Sequence, residues 1–192
     1  AGTIVNLAAE GPAQTVPLPK PSPTGLSLRK VVTASDRMVY QRETLFREFD
    51  PSARYAIPLR TVLEMQIERA LAGSFDAPSA NPLESCALEV SVQSATLRHR
   101  GAGHPATFQT GILTRLKAPN GQILAAKDFT AEKASDFDGR RVPQAVWDAC
   151  ADLGSQIAAF YSLNPAVLAF AKGGAGGPSL PGAPPAPPTV MF

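Results

Sequence analysis

Residues 106–131 read "ATFQTGILTRLKAPNGQILAAKDFTA". Phe108, Thr110, Ile112, Thr114 and Leu116 alternate with Gln109, Gly111, Leu113 and Arg115, the period-two pattern of a strand with one face on a core. "APNG" at 118–121 then supplies a hairpin turn, since Asn-Gly tolerates the positive φ that a tight reversal needs. The chain resumes as "QILAAKDFTA" over 122–131. Two strands joined this way must be antiparallel neighbours, and everything else in the fold is placed around them.

Upstream, "ALEVSVQSATLR" at 87–98 alternates Leu88, Val90 and Val92 with Glu89, Ser91 and Gln93. It adds a third strand, joined to the hairpin by the loop "RHRGAGHP". Before it, Leu59, Val62, Leu63, Ile67, Ala70 and Leu71 fall at helical spacing, with Pro58 opening the helix and Gly73 ending it. A helix over about 58–72 follows. After the hairpin, Val146, Trp147, Cys150, Leu153, Ile157 and Phe160 form a second apolar stripe, which predicts a helix over about 143–161. "NPAVLAFAK" adds a final helical turn. Nearer the start, 26–33, 37–41 and 44–49 are β-prone. The predicted class is α+β: an antiparallel sheet with two helices packed on one face.

The expected divisions are three. Residues 1–25 hold a short apolar run, Ile4 to Leu7, expected as an N-terminal edge strand, then "GPAQTVPLPKPSPTG", whose five prolines make it an extended linker. Residues 26–170 form the domain. Residues 171–192, "KGGAGGPSLPGAPPAPPTVMF" from Lys172 onward, are too poor in buryable surface to order themselves and are expected to be a flexible tail.

The 192 residues carry 18 basic and 16 acidic side chains, a net charge of +2. That balance supplies no field to hold the chain on nucleic acid. No apolar run approaches the roughly 20 residues of a membrane-spanning helix. There is no G-x-S-x-G, P-loop or H-E-x-x-H pattern. His99 and His104 flank "RGAG" without nearby cysteine or carboxylate, so they read as a solvated loop, and no metal is expected. Asp136, Asp138, Arg140 and Arg141 read as a turn with charge at a helix N-terminus. No catalytic residue and no cofactor are expected.

Cys86 opens a strand and Cys150 lies on the apolar stripe of the second helix. A disulfide between them is expected, closing a loop of about 65 residues and contributing roughly 4 kcal/mol in the chain-entropy account. The alternative is two buried thiols.

The stretch "SDRMVYQRETLFREFDPSARYAIPLR" at 35–60 interleaves arginines with aromatics. Asp36, Glu43, Glu48 and Asp50 among them argue against a nucleic-acid surface. A docking face or an ordinary edge strand remains.

"DRMVYQR" at 36–42 and "FDPSARYAIPLRTVLEMQIERAL" at 49–71 resemble the ABC-type transport auxiliary lipoproteins, which include the paraquat-inducible, MCE-linked membrane-integrity lipoprotein. The hairpin at 106–132 and the closing helix "VPQAVWDACADLGSQIAAFY" are similar to the family's, and "TIVNL" to its first strand. The resemblance spans about residues 3–161. The expected acylated cysteine would precede Ala1, and the proline-rich tail departs from the family pattern. The resemblance implies a non-enzymatic periplasmic lipoprotein, held on the outer membrane by an N-terminal lipid anchor. Its partner would be an MCE-domain protein or another envelope transport subunit, with lipid a further possible ligand. It implies partner binding through Arg37, Tyr40, Arg54 and Tyr55 by strand addition or face packing. Two alternatives stand beside it: an outer-membrane assembly lipoprotein of the lipopolysaccharide type, bound to a β-barrel partner, and an enzyme whose site only the fold assembles.

Overall fold

The long hairpin organises the molecule. The structure, a computed structural model, describes residues 3–11, 17–36, 38–43, 49–100 and 103–173. In it β5 (Cys86–Arg98), β6 (Pro105–Lys117) and β7 (Ile123–Asp136) form an antiparallel meander. β7 runs five residues past its expected end. The turn between β6 and β7 closes through Gly121 N–H to Ala118 O at 2.9 Å, with Gly121 at φ 89°.

β2 (Leu28–Thr33) extends this sheet beside β5, but runs parallel to it, giving the order β2-β5-β6-β7. A second sheet holds β1 (Thr3–Asn6), β3 (Met38–Glu43) and β4 (Phe49–Ile57) in the order β1-β4-β3. Here too one pair is parallel, β1 with β4. The sheets are therefore mixed, where the sequence predicts a wholly antiparallel one. Alternation reports which face a side chain takes, and both strand directions satisfy it equally. A parallel neighbour needs a crossover, and α1 (Leu59–Leu71) lies within the crossover from β2 to β5.

α2 (Gln144–Ser162) packs on β6 and β7, and α1 packs against α2 and reaches β2. Gly154 makes the helix contact close: a Cβ there would lie 2.9 Å from Gln66 O and 3.0 Å from the Ala70 Cβ. α3 (Pro165–Gly173) turns the chain back, its start capped by Asn164, whose Oδ1 accepts from Ala166 N at 3.0 Å. The expected tail from 174 onward lies outside the described residues.

The core lies between the helices and the inner sheet faces. Phe108, Ile112 and Leu116 of β6 are buried in it. Thr110 and Thr114 share that face and are satisfied there. Thr110 Oγ1 donates to Ser94 O at 2.8 Å, and the Thr114 hydroxyl lies 2.8 Å from Lys127 O and 2.6 Å from the Tyr161 hydroxyl. Residues 3–11 also belong to this fold. Leu7 is 4% exposed, Leu7 N donates to Ala56 O at 3.1 Å, and Val142 N donates to Ala8 O at 3.1 Å.

The expected disulfide is not formed. Cys86 and Cys150 are both buried and both free. Cys150 lies within electrostatic reach of Tyr40, whose ring packs on Phe108, and Phe108 is registered with Leu97. Cys86 is eleven residues earlier on the same strand, roughly 35 Å away along it. Cys150 does face a strand, but the far end of it. Burial pushes the Cys86 thiol up to about 11 and raises that of Cys150 further, so both stay protonated.

Candidate functional site

The stretch from Asp36 to Arg60 joins the second sheet to α1. Asp36 sits just before β3, yet its carboxylate reaches the first turn of α1. Oδ1 accepts from Thr61 N at 3.1 Å and from the Thr61 hydroxyl at 3.2 Å, and Oδ2 accepts from Arg60 at 2.7 Å. Pro58, at the N-cap position of α1, offers no side-chain cap, so Asp36, 25 positions before Thr61, caps the helix instead. Partial burial alone would raise the Asp36 pKa. The hydrogen bonds from Arg60 and Thr61 outweigh that and hold it below the usual carboxylate range.

Of the four residues expected to bind a partner, the three that the structure describes are not presented together on one surface. Arg37 lies outside the described residues. Tyr40 is 5% exposed and sits in the core, its ring edge-on to Phe108 at 6.1 Å and its hydroxyl donating to Met38 Sδ at 3.1 Å. It is therefore no part of a surface. Arg54 is exposed on β4, registered between Ile4 of β1 and Gln41 of β3. Tyr55, next to it, points to the other face and is half-buried.

Tyr55 meets a residue expected in solvent. His99 is 1% exposed; its ring stacks on Phe137 at 4.0 Å and takes the edge of Tyr55 at 4.6 Å. Burial, and then the positive charge of Arg42, lower its pKa to about 4. The imidazole is thus neutral at neutral pH and works as an aromatic plate between the two sheets. A sequence signal for this exists. Leu97 is buried and Arg98 exposed, so His99 continues the alternation of β5 by one step. A bulge between Val92 and Ser94 obscures it, because it moves the inward positions from Leu88 and Val90 to Leu97. His104, the other loop histidine, is exposed. Among the described residues no three histidines, cysteines or carboxylates converge on a point that could hold a metal.

Asp138 takes the turn role expected of it. Its Oδ1 accepts from Arg140 N at 2.8 Å and Arg141 N at 3.1 Å, and those two backbone bonds lower its pKa. Gly139, at φ 77°, allows the reversal.

Two open grooves on the four-stranded sheet are of interest among the described residues. One, about 550 Å³, lies on the sheet face away from the helices, near Val31, Ser91 and Leu113, with the Glu89–Arg115 pair at 2.6 Å along it. The other, about 350 Å³, lies between β2 and the end of α1, floored by Leu71 and Phe75 and rimmed by the Lys30–Glu68 pair at 3.3 Å. Sequence reading identified neither, since each is made by residues from separate elements.

No protein-family model matches the chain, and neither does any curated protein. Solved structures do. The chain is similar to protein XCC0632 from Xanthomonas campestris, of family DUF330, at 17% identity and a TM-score of 0.49, over 82% of this chain and 93% of that one. It is similar also to a minor lipoprotein from Acinetobacter baumannii, at 15% identity and a TM-score of 0.43, over 72% of this chain and 93% of that one. Bacterial lipoproteins are thus among the solved structures to which this chain is similar.

Proposed function

We propose that this chain is a non-enzymatic lipoprotein of the bacterial envelope, an auxiliary component of an ABC/MCE-type lipid transport system that supports outer-membrane integrity. One observation carries the reading. Asp36, Tyr40, Tyr55 and Arg60, in the stretch that resembles the transport auxiliary lipoproteins, are committed to structure. Asp36 and Arg60 cap a helix, Tyr40 fills the core, and Tyr55 locks the sheets together through His99 and Phe137. That stretch builds a rigid frame, and a frame suits an accessory subunit that works by docking.

The test is capture of the full-length, membrane-targeted protein from its native envelope, with partners identified by mass spectrometry. Recovery of an MCE-domain protein supports the reading. Recovery of a β-barrel assembly protein favours the lipopolysaccharide-assembly alternative, and recovery of no envelope partner sinks both.

A further inference from the structure

The parallel pairing of β2 leaves a consequence on its other edge. Cys86 N donates to Ser27 O at 2.9 Å, which sets the phase of the β2–β5 ladder. In a parallel ladder alternate residues turn both backbone groups to the same neighbour. Ser27, Arg29, Val31 and Thr33 therefore face β5, and Leu26, Leu28, Lys30 and Val32 face away.

The first two of these outward residues are occupied. Asp76 N donates to Leu26 O at 2.9 Å, and Leu28 N donates to Asp76 O at 3.0 Å, a parallel bridge. The next donor in that register is residue 78, which is proline and has no N–H. The pairing stops there. Among the described residues, Lys30 and Val32 have no backbone partner on this edge. The groove of about 350 Å³ opens where the interrupted strand would have continued, lined by Leu28, Lys30, Leu71, Phe75, Ala77 and Pro78.

We propose that this edge docks an extended segment of a partner polypeptide, which pairs with Lys30 and Val32 and seats an apolar side chain on Leu71 and Phe75. The stretch from Leu28 to Val32 is about 13 Å long, enough for a short strand. Recognition would be β-augmentation, with backbone bonds for affinity and the groove for side-chain choice. A hydrocarbon chain fits less well, because it would cover the outward N–H and C=O groups without bonding them. A second copy of this chain fits less well too. Two β2 edges paired about a two-fold axis at Val31, the register that uses both Lys30 and Val32, set Lys30 diagonal to the other copy's Lys30, a like-charge neighbour. Lys30 is already paired with Glu68, so the cation that favours an acidic residue in the partner segment is the exposed Arg29, beside this edge on the other sheet face.

The test places a photo-crosslinking benzoylphenylalanine at Ala77 in the full-length protein in its native envelope. The expected product joins this chain to another polypeptide, through a segment of alternating apolar residues. Val32→Pro removes an outward N–H and leaves the β2–β5 ladder intact, since only the odd positions serve that ladder. It should leave Tm within a few degrees and cut the cross-link at least tenfold. Should Val32→Pro not fold, Lys30→Pro makes the same deletion. A cross-link undiminished by the proline variant overturns the proposal. So does a product with a second copy only, one with lipid only, or none. If the captured polypeptide is not a transport subunit, the docking edge stands and the transport reading falls.

Discussion

His99 shows how one buried side chain couples this fold to pH. In the unfolded chain it titrates near 6.5, and in the fold near 4. Between those values the unfolded state holds more protons, so stability falls as pH drops through the window. The loss should approach on the order of 2–3 kcal/mol. Urea unfolding at pH 7.0, 5.5 and 4.5 measures it, and His99→Phe should flatten the dependence while keeping the stack with Phe137. Asp36 works in the same direction at lower pH. Its carboxylate is stabilised by Arg60 and Thr61, so its contribution is present above the unfolded pKa of 3.8 and lost below it. Asp36→Ala should cost about 1 kcal/mol at pH 7, the usual worth of a helix cap, and a thermal melt reads it. Neither role was legible in advance. A cap normally lies next to its helix, and His99 was hidden by a bulge that shifts the parity of β5.

Among the elements, α1 and α2 were the most legible. Each carries an apolar stripe at helical spacing, and their observed bounds, Leu59–Leu71 and Gln144–Ser162, differ from those expected by only a residue or so. The β6–β7 hairpin was equally clear, through its alternation and its Asn-Gly turn. β4 was not: "FDPSARYAI" has a proline and no clean alternation, and its strand form comes from pairing with β1 and β3. The close approach of the helices has its own test. Gly154→Ala puts a methyl group against Gln66 O and Ala70 and must push the helices apart. It should cost about 1–3 kcal/mol, as overpacked cores do, and lower Tm by several degrees.

For the molecule as a whole, the separation of the two cysteines is diagnostic. They lie toward opposite ends of β5, so no side-chain rotation can join them. A thiol reagent should find two free groups in denaturant and almost none in the native protein, because both are buried. A bridge in freshly isolated protein would contradict the strand register. By itself the sequence determined the helices α1 and α2, the antiparallel meander, the turns at Asn120–Gly121 and Asp138–Gly139, and the near-balance of charge. These are local properties, written in spacing, turn chemistry and composition. Tertiary structure alone decided the parallel partners of β4 and β5, the division into two sheets, the burial of Tyr40 and His99, the distant cap from Asp36, and the open edge of β2 beside its groove. Each of these depends on which strands meet, and in which direction. Alternation is the same for either direction, so only the packed chain could choose.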